Sequence, residues 1–170
     1  ATREMLTRSE RLQEDATRAL AAMAAVPVAE ACTPAGLARL RTAAFASRGV
    51  REVGVVDEGR VVCTGAGRLD SPMPLPLPDM SVGDMRIWYD RLPPGLDDSA
   101  RAASRTTVIA RGPYAVFLDT EQIYDLVLAE PRVVLSMVAL GTGQVLGVRT
   151  RPERAILSDM VDRFRNQNEP

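Results

Sequence analysis

Histidine is absent from this 170-residue chain. Lysine is absent too, and all 21 basic residues are arginine. Without histidine there is no imidazole base and no histidine metal ligand. Without lysine there is no Schiff base, no serine–lysine dyad and no phosphate-loop lysine. Most hydrolase and phosphotransfer designs are thereby excluded; carboxylate and thiol chemistry remain. Cysteine is nearly missing, with 2 residues, Cys32 and Cys63. They form no Cys-x-x-Cys unit and have no further soft ligand, which argues against a cysteine-built zinc site. No metal, no cofactor and no catalytic residue are expected. No hydrophobic run reaches the length that crosses a bilayer. The net charge of -1 supplies no basic field to attract nucleic acid or an anionic membrane, so no nucleic-acid partner is expected. An initiator methionine and a signal-peptide pattern are missing as well. The chain opens at Ala1 inside a helical pattern, so a piece of a longer protein is expected.

What is present suffices for one domain, because 46% of the residues are hydrophobic. Residues 2–25 read as a long helix. Met5, Leu12, Ala16, Leu20 and Met23 mark one stripe, and Glu4–Arg8 and Glu14–Arg18 are spaced as stabilising pairs. Pro27 ends it. The stripe suits packing on its own domain or against a partner helix. Residues 33–47 read as a second helix, with Thr33 as N-cap, Pro34 at the first helical position and Gly49 as a stop. Its main apolar residues are Leu37, Leu40 and Phe45.

A hairpin follows, "VREVGVV" and "RVVCT", turning through Asp57-Glu58-Gly59. "LDSPMPLPLPDM" carries four prolines and reads as an extended surface loop. "GDMRIWYDRL" is a strand broken by Pro93-Pro94-Gly95. "TTVIARG" and "YAVFLDT" pair through Gly112-Pro113. Residues 121–129 read as a short helix. "RVVLSMVAL" and "QVLGVRT" pair, and a last helix starts near Pro152 with a frayed tail. The expected class is α+β: a long N-terminal helix and a second helix on a largely antiparallel sheet, with a PAS- or Cache-like build as a candidate. The expected division of a single domain, 1–170, is an N-terminal helix at 1–27, an α+β core at 28–150 and a C-terminal helix and tail at 151–170.

The cysteines admit three readings: two unrelated buried thiols, a structural disulfide, or a reactive redox pair. The positive end of the helix beginning near Thr33 would lower the pKa of a free Cys32 thiol.

The stretch "CTPAGLARLRTAAFASRGVREVGVVDEGRVVCTG" resembles the CSS-motif sensor domain, found before EAL-type cyclic-di-GMP phosphodiesterase domains in bacteria. The residues that carry the likeness are Cys32, Thr33, Leu37, Leu40, Arg41, Val53, Gly54, Val55 and Cys63. "LPLPDM", "MRIWY" and "RGPYAVFLDTEQIYDLV" resemble later blocks, so the likeness runs roughly from Cys32 to Leu146. The name-giving Cys-Ser-Ser is here Cys63-Thr64-Gly65, which keeps the first hydroxyl and loses the second. The resemblance implies a periplasmic domain of an inner-membrane protein, held between flanking transmembrane helices. In that setting the periplasmic disulfide-forming machinery joins Cys32 to Cys63, clamping helix to sheet, and the redox state controls the attached cytoplasmic phosphodiesterase. Thr64, Gly65 and Gly67 would give the chain a tight exit from the hairpin. A homodimer is a candidate assembly.

Two other functions compete. One is a small-molecule-binding extracytoplasmic sensor with a purely structural disulfide; a pocket lined by Trp88, Tyr89, Tyr114 and arginines would favour it. The other is a thiol enzyme, which needs an exposed cysteine and a substrate channel. Asp119, Glu121 and Asp125 cluster near a strand-to-helix junction, where they read as helix N-terminal charges before they read as a cation site. Trp88 and Tyr89 alternate on a strand, so one of them should face the core. Arg41 is expected to pair with a carboxylate or to bind an anion.

Overall fold

The computed structural model describes residues 2–95 and 105–119, with side chains from Thr7 onward, and the backbone of strands at 135–138 and 145–149. The chain divides into two units, Ala1–Ile123 and Tyr124–Pro170. The expected helices at 121–129 and after Pro152, and the residues Glu121 and Asp125, lie outside the described residues.

In the first unit, helix α1 spans Thr2–Met23. Its stripe of Leu12, Ala16, Ala19, Leu20 and Met23 is buried, so the small residues Ala16 and Ala19 serve the domain's own core. Arg18 pairs with Asp15 at 3.2 Å in place of the expected Glu14. A one-turn helix, α2 (Val28–Ala31), follows Pro27, and α3 spans Pro34–Phe45 with Thr33 as its N-cap. The three main apolar residues of α3 do not share a face. Leu40 is buried and Leu37 half-buried, but Phe45 is 88% exposed. Five residues beyond Leu40 is about 140° around the helix, off the buried face.

Seven strands complete this unit: β1 (Val50–Asp57), β2 (Arg60–Thr64), β3 (Gly67–Pro74), β4 (Met80–Val82), β5 (Met85–Arg91), β6 (Thr106–Arg111) and β7 (Tyr114–Asp119). They form one antiparallel sheet in the order β3-β2-β1-β7-β6-β5-β4. The unit is therefore α+β. The β1–β2 hairpin closes through Glu58 and Gly59, with φ of 45° and 74°. Two positive φ values in a two-residue loop match the twist of the flanking strands.

The proline-rich segment corrects the sequence reading. Its first part is strand β3, and the rest leads into the short β4, which the sequence did not reveal. β3 is an edge strand with Pro72 and Pro74 exposed, so the missing N–H groups interrupt no central ladder.

The sheet buries apolar side chains on both faces. On one face α1 and α3 pack over Val53, Val55, Ile109, Tyr114, Val116 and Leu118. On the other, Val56, Val61, Trp88, Val108, Ala115 and Phe117 form a second cluster, against which Leu69, Met73 and Leu75 pack. In the second unit, β8 (Leu135–Val138) and β9 (Val145–Arg149) form an antiparallel pair.

Candidate functional site

A β-bulge decides where Cys63 points. Across β1–β2, Val55 pairs with Cys63 while Val56 pairs with Val61, so Val62 is the extra residue of β2. Two residues apart on a regular strand, Val61 and Cys63 would share a face. The bulge instead puts Val61 in the cluster away from the helices and turns Cys63 toward them. Val62 packs on the helix-facing side as well.

Cys32 meets Cys63 from the helical layer. It caps the C-terminus of α2, and the next residue, Thr33, caps the N-terminus of α3. The Thr33 hydroxyl donates to the Glu30 carbonyl at 2.7 Å and accepts from the Gly36 N–H at 3.3 Å, tying the two helix ends together. Cys32 and Cys63 are joined in a disulfide with their Cα atoms 5.9 Å apart. Cys63 is fully buried and Cys32 half-buried, so the bond is approached from the α2–α3 corner.

The residues after Cys63 fix its surroundings. The buried Thr64 hydroxyl accepts from the Ala66 N–H at 3.2 Å and bonds the Glu52 side chain. Burial pushes the Glu52 carboxyl above the ordinary glutamate value, and the Thr64 bond acts in the opposite direction. Gly65 donates its N–H to the Val53 carbonyl at 3.0 Å. A Cβ at Gly65 would lie 2.8 Å from the Arg41 Cγ and 3.1 Å from its backbone N. Glycine at this position thus lets α3 sit flush on the hairpin exit.

The other motif residues have clear places. Leu40 and the half-buried Leu37 pack in the core cluster that holds Cys63. Gly54 lies under the Phe117 ring, where a Cβ would be 3.4 Å from Phe117 Cε2 and 3.0 Å from the Cys63 carbonyl. Arg41 is exposed, with no hydrogen bond or ion pair among the described residues.

Trp88, Tyr89 and Tyr114 do not converge. Trp88 is buried in the cluster away from the helices, and its indole N–H donates to the Pro76 carbonyl at 2.8 Å. Tyr89 is half-buried beside Asp79, whose carboxylate accepts from the Tyr89 backbone N–H. Burial, then the Asp79 charge, raises the Tyr89 phenol above its ordinary value. Tyr114 is buried among the helix-facing residues and donates to the Val26 carbonyl at 2.6 Å. Asp119 is paired with Arg51 at 2.8 Å. Among the described residues, no three His, Cys, Asp or Glu side chains are grouped to hold a metal ion, and no helix is long and apolar enough to cross a membrane.

The sequence did not reveal the Val62 bulge, the Glu52–Thr64 bond or the Gly65–Arg41 contact. Each depends on register or on which elements meet, which periodicity does not encode.

Among curated proteins and among solved structures, none matches. Residues 1–149 match the family described as "CSS motif domain associated with EAL". With that match over most of its length and a disulfide joining its helical layer to its sheet, the chain belongs to the CSS-motif domain family.

Proposed function

We propose that this chain is a periplasmic, redox-sensing regulatory domain whose cysteine pair controls an attached cyclic-di-GMP phosphodiesterase. The observation that supports it best is the location of the bond. It joins the α2–α3 corner to strand β2, so it constrains the seam between two layers and not a surface loop. Opening it takes two electrons and two protons from a dithiol reductant and leaves two thiols. The half-buried Cys32 is the end a reductant reaches. The domain itself carries out no catalysis in this reading; the phosphodiesterase does. Flanking transmembrane helices carry the signal, and α1 is the element that leads it toward the membrane. The free-thiol form is the active one.

The test is phosphodiesterase turnover by the full-length protein in membrane vesicles, oxidised, reduced, and with Cys32→Ser and Cys63→Ser. Reduction and both substitutions are expected to raise turnover to a common level. Equal turnover in all four preparations means that the disulfide is a staple without regulatory effect.

A further inference from the structure

A cavity of about 500 Å³, lined by neither cysteine, opens between the C-terminal half of α3, the start of β1 and the hairpin exit at Gly65-Ala66. Its size is within the range of sites for small organic molecules. The walls are of two kinds. Ala44, Phe45 and Val53 are apolar, and the Phe45 ring is 88% exposed at the rim. Arg41, Arg48 and Arg51 are cationic, and Arg51 is paired with Asp119.

Arg41 is the informative residue. Its stem lies on Gly65, which has no side chain to push it away, so the base of the guanidinium is fixed at the cavity wall. Its five N–H donors engage no carboxylate or carbonyl among the described residues. Ser47 also borders the cavity, and its hydroxyl oxygen is buried without a hydrogen-bond partner among the described residues. A buried hydroxyl with no partner calls for an explanation, and a bound polar group supplies one. The one acidic residue of the lining, Glu52, bonds Thr64, and burial favours its neutral form.

We infer that this cavity binds a small organic carboxylate with an aromatic or branched aliphatic body. The carboxylate takes the planar, two-pronged donation of Arg41, and the body lies against Phe45 and Val53. Because the site touches both α3 and the residues that follow Cys63-Thr64, occupancy braces the same seam as the disulfide. Binding does not require the bond to open, so it stands or falls separately from the redox reading.

The test is a titration of the isotope-labelled 170-residue chain with phenylacetate, followed by amide NMR shifts, with benzylamine as the cationic control. Saturable shifts at Val53, Gly65 and Ala66 are expected with phenylacetate at millimolar concentration and not with benzylamine. Arg41→Gln keeps the stem on Gly65 and removes the charge; binding should weaken roughly tenfold or more. Phe45→Ser alters an exposed ring, so it tests the apolar wall independently of the arginine and should weaken binding too. No saturable shift at those amides overturns the inference. Equal binding of benzylamine, or undiminished binding in both variants, does so as well.

Discussion

Val61 and Cys63 stand two residues apart on one strand, yet they are buried on opposite faces of the sheet. The extra residue, Val62, makes this possible. Deleting Val62 removes the bulge but leaves Val61 and Cys63 adjacent, so plain alternation keeps them on opposite faces, with Cys63 still opposite Val55 and turned toward Cys32. Thiol titration of oxidised, denatured protein should then detect no free cysteine, as in the parent. Two free thiols in the deletion variant would show that pairing with Val55 does not set the direction of Cys63.

The disulfide closes a loop with a sequence separation of 31. In the chain-entropy account, a loop of that size stabilises by about 3–4 kcal/mol. Reduction, or Cys32→Ser, should lower the unfolding free energy by that amount in urea melts. The domain should remain folded, because the buried clusters on both sheet faces do not depend on the bond. Hydrogen exchange should rise at α2, the first turn of α3 and β2 before it rises elsewhere. Uniform acceleration across the sheet would mean that the bond holds the whole fold and is not a local element poised to loosen.

Gly65→Ser restores the hydroxyl that the motif's name calls for, at a position where α3 leaves no room. The new Cβ would press on the Arg41 backbone as well as on its flexible stem, so the helix must retreat by a few tenths of an ångström. Overpacking of this kind costs about 1–3 kcal/mol. A shift of the urea midpoint to lower concentration at unchanged slope is expected. An unchanged midpoint would show that the α3–hairpin contact is soft.

These cases mark the reach of the sequence. Strong periodic segments were legible: α1 from its stripe, α3 from Thr33-Pro34, and the pairs β1–β2 and β6–β7 from β-branched runs between turn residues. So were the two cysteines and the residues around them, which carry the family likeness. Strand β3 was hidden because Pro72 and Pro74 mask its pattern, and only its edge position makes them tolerable. The exposure of Phe45 was not legible from its hydrophobicity, because it follows from the residue's angle around the helix. The face chosen by Cys63 was illegible because a bulge is a property of pairing, not of one strand. Gly54 and Gly65 were legible as small residues, but what they make room for, Phe117 and Arg41, lies on other elements.

Glu52 gives the domain a pH dependence. Burial raises its folded pKa above the ordinary value of 4.5. A carboxyl raised on folding favours the native state most fully below its unfolded pKa, and that contribution is lost as pH rises through the folded value. Glu52→Gln keeps a side chain able to bond Thr64 and removes the buried charge. The variant should be more stable than the parent at neutral pH, and the two should converge in acid, below the ordinary glutamate value. Thermal melts across that range decide it. A variant less stable at neutral pH would mean that the carboxylate charge is compensated at its site.

Tyr114 and Val26 are 88 residues apart in sequence and joined by a hydrogen bond of 2.6 Å. Val26 lies between α1 and α2, so the bond pins the segment that leads into Cys32 to the first residue of β7. Burial also raises the Tyr114 phenol above its ordinary value, which keeps it protonated as a donor. Tyr114→Phe preserves the ring and its packing and leaves the Val26 carbonyl without this donor. An unsatisfied buried acceptor costs about 1–3 kcal/mol. The loss should be seen in urea melts, and amide exchange should quicken at the end of α1 and in α2 while β6 and β7 stay protected. If the disulfide and this bond brace the same corner, their effects are coupled. Combining Tyr114→Phe with Cys32→Ser should then depart from the sum of the single losses, and simple additivity would show that the two ties act on separate parts of the domain.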